Sequence, residues 1–305
     1  MRKLILAVIF FAMNFCVFAQ TSVSDFITKP SAQMPSFVAL QNEQFKSTFD
    51  YELSPDFSMR TQEYTICNEF NFNKINSGFG LNYIDHSSFS DVFNRSLILS
   101  YNYKIKTDNV DFIPAVSYEG VKYFYDEDKY DSAMSSNSMH RYAKLHGSFG
   151  IITRNLNLTV EIENLNQPKP HYSFDNNYVI PLKYNFFGSY MFLKNNKFVD
   201  YLQISVYNEL FKFFDSDKYF YTLSTGLNTK YKIFRIGFDV NFTNLFNANF
   251  KDLKTNYFIG VEKNNVSFYY GINQNSTMFY SSFTNYRIHN FNLSVNFDLF
   301  KKKTE

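Results

Sequence analysis

The 305-residue chain has no tryptophan and only two cysteines, Cys16 and Cys67. Cys16 lies in an N-terminal apolar run, so export with cleavage at residue 19 leaves Cys67 alone. A lone cysteine excludes an intramolecular disulfide and a cysteine-based metal site. Net charge is nearly absent as well: 30 Lys and Arg against 28 Asp and Glu leave +2, which argues for neither nucleic acid nor a strongly charged partner. Beyond residue 19 no stretch reaches the roughly 18 uninterrupted apolar residues of a membrane-crossing helix, so a membrane location has to be reached with strands. His86, His140, His146, His171 and His289 show no zinc-binding helical spacing, and neither a glycine-rich phosphate loop nor a basic-aromatic nucleic-acid signature is present.

Aromatic residues are abundant instead. With 38 Phe and 24 Tyr in a chain of mean hydropathy −0.30, a soluble core is hard to pack, whereas a barrel with its apolar residues facing outward suits the composition. The repeating unit is plainest over residues 219–242. There Tyr221, Leu223 and Leu227 alternate with Thr222, Ser224, Gly226 and Asn228. After a turn read at Lys230-Tyr231-Lys232, Phe234, Ile236, Phe238, Val240 and Phe242 alternate with Arg235, Gly237, Asp239 and Asn241. Period two on both sides of a short turn, one face apolar and the other polar, describes a membrane-spanning hairpin with strands of about ten residues.

Residues 1–19 have the order of a secretory signal: Arg2 and Lys3, an apolar run, then Val17-Phe18-Ala19 before Gln20. Residues 20–42 are polar, carry Pro30 and Pro35 and do not alternate, so they read as a periplasmic leader or a lumen plug. Residues 43–300 read as the barrel and 301–305 as a polar periplasmic tail. Along the barrel the pattern gives about fourteen strands. Tight turns such as Asn73-Lys74-Ile75-Asn76, Thr107-Asp108-Asn109, Thr153-Arg154-Asn155, 194–197 and Lys263-Asn264-Asn265 follow the even-numbered strands. Most longer loops, read at 86–93, 122–141, 164–179, 244–254 and 273–285, follow the odd ones. Short periplasmic turns alternating with longer outside loops characterise an all-β, antiparallel up-and-down transmembrane barrel of the outer-membrane type.

The polar faces carry Lys46, Asp50, Glu52, Glu63, Glu69, Lys104, Asp111, Glu119, Lys144, Glu161, Glu163, Lys183, Arg235, Asp239 and Asp298. They form either a charge network filling the interior or the lining of a cation-preferring pore. His140, His146 and Ser148 lie close on one strand, yet no motif ties a serine to a histidine and an orienting partner, so no catalytic, cofactor or metal residue is assigned and the chain reads as non-enzymatic. Asp126, Glu127, Asp128 and Asp131 among tyrosines lack the spacing of a calcium loop and read as a solvated loop able to meet a partner. Pro114, inside an alternating run where it cannot donate to the ladder, reads as a bulge near the periplasmic rim; the alternative is a break in pairing of the kind that makes a side opening.

Several stretches together resemble the PorP/SprF family of type IX secretion in Bacteroidota. These are Ala19-Gln20, Gly78-Phe79-Gly80-Leu81, Tyr101-Asn102-Tyr103-Lys104-Ile105, Phe149-Gly150-Ile151-Ile152 and Glu163-Asn164-Leu165-Asn166-Gln167-Pro168. Where members carry an Asn-Pro-Ala-Tyr-Ala-Gly-like stretch, this chain has Gln33-Met34-Pro35-Ser36-Phe37-Val38-Ala39. The resemblance implies a non-enzymatic outer-membrane barrel without cofactor, working with periplasmic secretion components and a secreted surface protein. The alternative that the residues alone support is a passive channel or a transporter of hydrophobic compounds.

Overall fold

A computed structural model describes residues 29–40, 44–53, 61–88, 92–125, 138–169, 179–192, 199–212, 219–245, 250–263, 265–279 and 282–297. The strands are β1 (Phe45–Leu53), β2 (Thr61–Phe72), β3 (Ser77–Ser88), β4 (Val92–Tyr103, resuming after Lys104 as Ile105–Lys106), β5 (Val110–Tyr125), β6 (Ser138–Thr153) and β7 (Leu156–Glu163). They continue as β8 (Lys183–Phe192), β9 (Tyr201–Lys212), β10 (Tyr219–Tyr231), β11 (Phe234–Leu245), β12 (Phe250–Lys263), β13 (Val266–Phe279) and β14 (Ser282–Phe297). Each strand pairs antiparallel with its sequence neighbours, and β1 pairs with β14 from Phe45↔Phe297 to Leu53↔His289. The result is a closed fourteen-stranded barrel. Closure leaves no strand edge in contact with lipid.

The alternation sorts side chains as the sequence pattern implies. Phe49, Ile66, Leu99, Tyr101, Val116, Val160, Ile236 and Phe268 are exposed on the outside, while Thr48, Asp50, Glu69, Asn102, Ser224 and Asn292 are buried on the inside. At the end of the barrel where β1 begins, short turns are fixed by local chemistry. Asn76 adopts φ 52° at the end of its turn. The Thr107 hydroxyl donates to Val110 O at 2.6 Å, and Thr153 Oγ accepts from Leu156 N at 3.0 Å.

Several boundaries differ from the sequence reading. The hairpin turn is Lys232–Ile233, with Lys232 at φ 53°, so Lys230 and Tyr231 stay in the ladder. At the other end the strands run well past the loops expected there. β11 and β12 continue to Leu245 and from Phe250, β13 and β14 to Phe279 and from Ser282, and β3 and β4 to Ser88 and from Val92. β5, β6 and β14 reach 16 residues, beyond the roughly 9–11 that cross a bilayer. A strand that continues past the lipid has no apolar face to present, so alternation in the sequence can fade while the hydrogen-bonded ladder continues. The connection 194–197, the acidic residues Asp126, Glu127, Asp128 and Asp131, His171, Asp298 and the ranges 1–28 and 301–305 lie outside the described residues.

Two inward rings occupy the space left by neighbouring glycines. Phe258 sits opposite Gly237 and Tyr269 opposite Gly260, and a Cβ at Gly237 would fall 2.1 Å from the Phe258 ring. The rings themselves meet edge to face at 6.0 Å between centroids. Gly237→Ala is therefore expected to cost about 1–3 kcal/mol by overpacking. The measurement is the urea midpoint of the micelle-embedded barrel, and Phe258→Leu should restore most of the loss.

Candidate functional site

The lumen holds a segment of the chain itself. A helical turn, α1 (Pro30–Gln33), leads into a 3-10 turn (Pro35–Phe37). Its buried residues are both polar, Lys29 and Ser36, and apolar, Met34, Pro35, Phe37, Val38 and Ala39, so the described part of the leader carries an apolar tip that its polar reading did not anticipate. Met34 and Phe37 pack with Phe187 and Tyr207, the Phe37 and Phe187 rings meeting edge to face at 5.3 Å.

Polar contacts fix this plug at three levels. Deepest, the Lys29 ammonium lies 3.0 Å from Asp50, 2.7 Å from Glu52 and 3.5 Å from Glu63. Asn290 and Asn292 donate to the same carboxylates, and His86 lies 3.2 Å from Glu63. In the middle, Ser36 N donates to Ser148 Oγ at 3.0 Å. Near the short-turn end, Ala39 N donates to Glu69 at 2.7 Å, Asn102 Nδ2 donates to Val38 O at 2.6 Å and Lys104 Nζ donates to Ala39 O at 2.5 Å. Ala39 takes φ 51°, a left-handed conformation that a non-glycine residue holds only when its surroundings fix it. Gly78 makes room for it: a Cβ there would lie 2.9 Å from Ala39 Cβ and from Val38 O.

On the outside of the wall, level with this plug, is a depression of about 570 Å³. Tyr101, Tyr103, Val116, Phe149, Val160, Ile162 and Leu165 surround it, and Pro114 and Gly147 lie within it. Ala115, Ser148 and Glu161, whose side chains face inward, border its floor, where the pairs Ala115↔Ser148 and Ser148↔Glu161 keep the wall continuous. Three local causes meet here. Pro114 has no N–H, and the β4–β5 ladder drops the pairs at Tyr103 and Lys104 while keeping one register, Asn102↔Ala115 before and Ile105↔Phe112 after. Pro114 thus breaks the ladder without the bulge that its sequence setting implies. Gly147 leaves one outward position without a side chain. Finally, β7 is only eight residues long, and its pairing with β6 stops at Gly147↔Ile162. Beyond that point Leu165 N donates to Leu145 O, and the Asn166 side chain bridges Leu145 N and Ala143 O in place of a strand.

Inside the wall, beside the depression, runs a charged network. Lys144 lies 3.0 Å and His146 3.3 Å from Glu119, while Lys183 lies 3.0 Å from Glu163 and 3.1 Å from Glu209. Tyr207 donates to Glu209 and to Asn185, and Asn185 donates to Glu161 at 2.9 Å. A separate knot of Arg235, Glu262, Lys230 and Tyr269 lies inside the barrel near the Lys232 turn. Many of the charged positions of the sequence reading thus pair with neighbours on adjacent strands, Lys46 with Glu69, Lys144 with Glu119 and Lys183 with Glu163 among them. His146 and Ser148 share a face, but each is engaged elsewhere, Ser148 by the plug and His146 by Glu119. His289 meets Tyr270 instead. The depression itself was not legible as a site, because its residues come from four strands and a loop; Pro114 was its one sequence signal.

Lys29→Met leaves three carboxylates without their cation, a loss of about 3–5 kcal/mol where such a group is buried. Conductance across a planar bilayer is expected to rise above that of the unaltered barrel, with Lys29→Arg staying near it.

No protein-family model matches the chain, so the PorP/SprF resemblance gains no support from one, and no curated protein matches it by sequence. Solved structures do. The CymD monoaromatic hydrocarbon channel superposes with a TM-score of 0.60 at 8% identity, over 92% of this chain and 94% of that one. The toluene transporter TodX of P. putida superposes with a TM-score of 0.54 at 9% identity, over 87% and 93%. Identities this low establish the fold alone, and that fold is an outer-membrane β-barrel.

Proposed function

We propose that this barrel is an outer-membrane channel for small hydrophobic compounds, which enter or leave through the wall at Pro114 and Gly147. The carrying observation is the depression among lipid-facing aromatic and aliphatic side chains at the place where the β4–β5 ladder loses its pairs beside Pro114. An apolar solute concentrates in the hydrocarbon layer and in apolar clefts, so a wall weakened beside such a cleft offers it a route that spares it the aqueous mouth.

Two structures of this fold are a monoaromatic hydrocarbon channel and a toluene transporter, which supports the same reading by analogy of architecture. The secretion role implied by the PorP/SprF resemblance has no support from the family comparison.

Gly147→Phe fills the depression from its floor. Uptake of labelled toluene by cells carrying the variant is expected to fall several-fold relative to the unaltered barrel, while the heat-modifiable mobility of the folded barrel on gels stays unchanged. Equal uptake by the variant, the unaltered barrel and cells without it would remove the reading.

A further inference from the structure

Three cations stand side by side on the outside of the barrel. In the strand register Arg95 of β4 lies opposite Lys122 of β5, and Lys122 opposite Arg141 of β6. Alternation puts them on the outward faces that also carry the exposed Leu97, Tyr118 and Leu145. Neighbouring strands are about 4.8 Å apart, so the row spans about 10 Å. Like charges directly opposite on adjacent strands repel. Asp85, opposite Arg95 on the other side, balances only that end of the row. Its carboxylate is 4% exposed and accepts from Tyr64 Oη at 2.8 Å, Tyr83 Oη at 3.0 Å and Arg95 Nε at 2.7 Å. The Arg95 side chain is still 49% exposed, and Arg141 is exposed as well.

The height of the row and the surface beneath it point to what it meets. It lies at the end opposite the short turns, the outer end where short turns face the periplasm. From the exposed Ile105 to Arg95 the chain climbs roughly 34 Å at about 3.4 Å per residue, or about 25 Å of barrel height at the usual tilt, which is the height of a lipid-facing apolar band. Directly beneath the cations Leu97, Gly120 and Ala143 stand side by side. A Cβ at Gly120 would come no nearer than 3.9 Å to a described neighbour, Tyr118 Cε1. Gly120 is thus a notch in the apolar face, whereas Gly237 and Gly260 are filled by rings.

We propose that the row and the notch bind a phosphorylated lipid of the outer leaflet, its phosphate at Arg95, Lys122 and Arg141 and an acyl chain over Gly120 and Ala143. Arginine pairs with phosphate oxygens bidentately and lysine adds a point charge, so one anion turns the repulsion along the row into attraction. The chain fills a notch that otherwise lacks contacts on one side. The site is on the outer surface, so it stands or falls independently of the portal.

The test titrates the full-length barrel in dodecyl maltoside micelles with diphosphoryl lipid A, monophosphoryl lipid A, zwitterionic phosphatidylethanolamine and inorganic pyrophosphate, and reads binding by native mass spectrometry. Diphosphoryl lipid A is expected to bind most tightly, the monophosphoryl form several-fold less so, and phosphatidylethanolamine and pyrophosphate weakly. Lys122→Gln and Arg141→Gln each lower affinity for diphosphoryl lipid A about fivefold; Lys122→Arg keeps it, and Gly120→Leu weakens it with all three cations in place. Without lipid, Lys122→Gln raises the melting temperature of the barrel by relieving the repulsion. Unchanged affinity for diphosphoryl lipid A in the double variant Lys122→Gln, Arg141→Gln overturns the proposal, and so does phosphatidylethanolamine binding equally well to the unaltered barrel. Pyrophosphate binding as tightly as diphosphoryl lipid A overturns the assignment to a lipid.

Discussion

A chain that crosses hydrocarbon with strands has to give every backbone N–H and C=O a partner within the protein, since lipid offers none. That requirement closes β1 onto β14, and the rest of the structure follows from the closure. Once the ladder is a cylinder, the alternating polar side chains have nowhere to go but the interior. There, Asp50, Glu119, Glu163, Glu209 and Glu262 need partners of their own. Lys29, Lys144, Lys183, Lys230 and Arg235 supply them, together with Asn185 and Tyr207. The same requirement explains why the one break in the β4–β5 ladder falls at Pro114. Proline has no N–H to abandon in an apolar surrounding, so it is the residue at which a transmembrane ladder is interrupted with least loss.

The plug belongs to this balance of charges rather than merely occupying space. Its apolar residues fit one cluster with Phe187 and Tyr207, while its backbone and its lysine satisfy groups on β1, β2, β4 and β6. Ala39 is held in its left-handed conformation by Glu69 and Lys104 from opposite sides of its peptide unit. The Ser36–Ser148 hydrogen bond ties the plug to β6, the strand that also floors the wall depression.

The fold was legible where one local rule acts alone. Period-two alternation such as Phe234, Ile236, Phe238 over Arg235, Gly237, Asp239 can be read without neighbours, because lipid outside and polar groups inside impose it residue by residue. It failed at the strand ends away from the short turns: the extensions of β11 to β14 hydrogen-bond as strands without a regular apolar–polar alternation. The plug was harder still, since Met34, Phe37, Val38 and Ala39 are apolar without a period, and only Phe187 and Tyr207, more than 140 residues away, show what they pack against. Pro114 announced an irregularity; that it becomes a depression depends also on Gly147 and on the early end of β7, two facts that no single stretch contains.

Lys29 has a consequence for whatever state follows closure. It is the cation among Asp50, Glu52 and Glu63, and it is carried by the plug, while the three carboxylates are carried by the wall. Moving the plug out of the lumen separates the two. The stopper is thus also the counter-ion of the vestibule it fills, and an emptied barrel is more negative inside than the closed one. The vacated passage would draw cations and turn anions away, a preference that exists only while it is open.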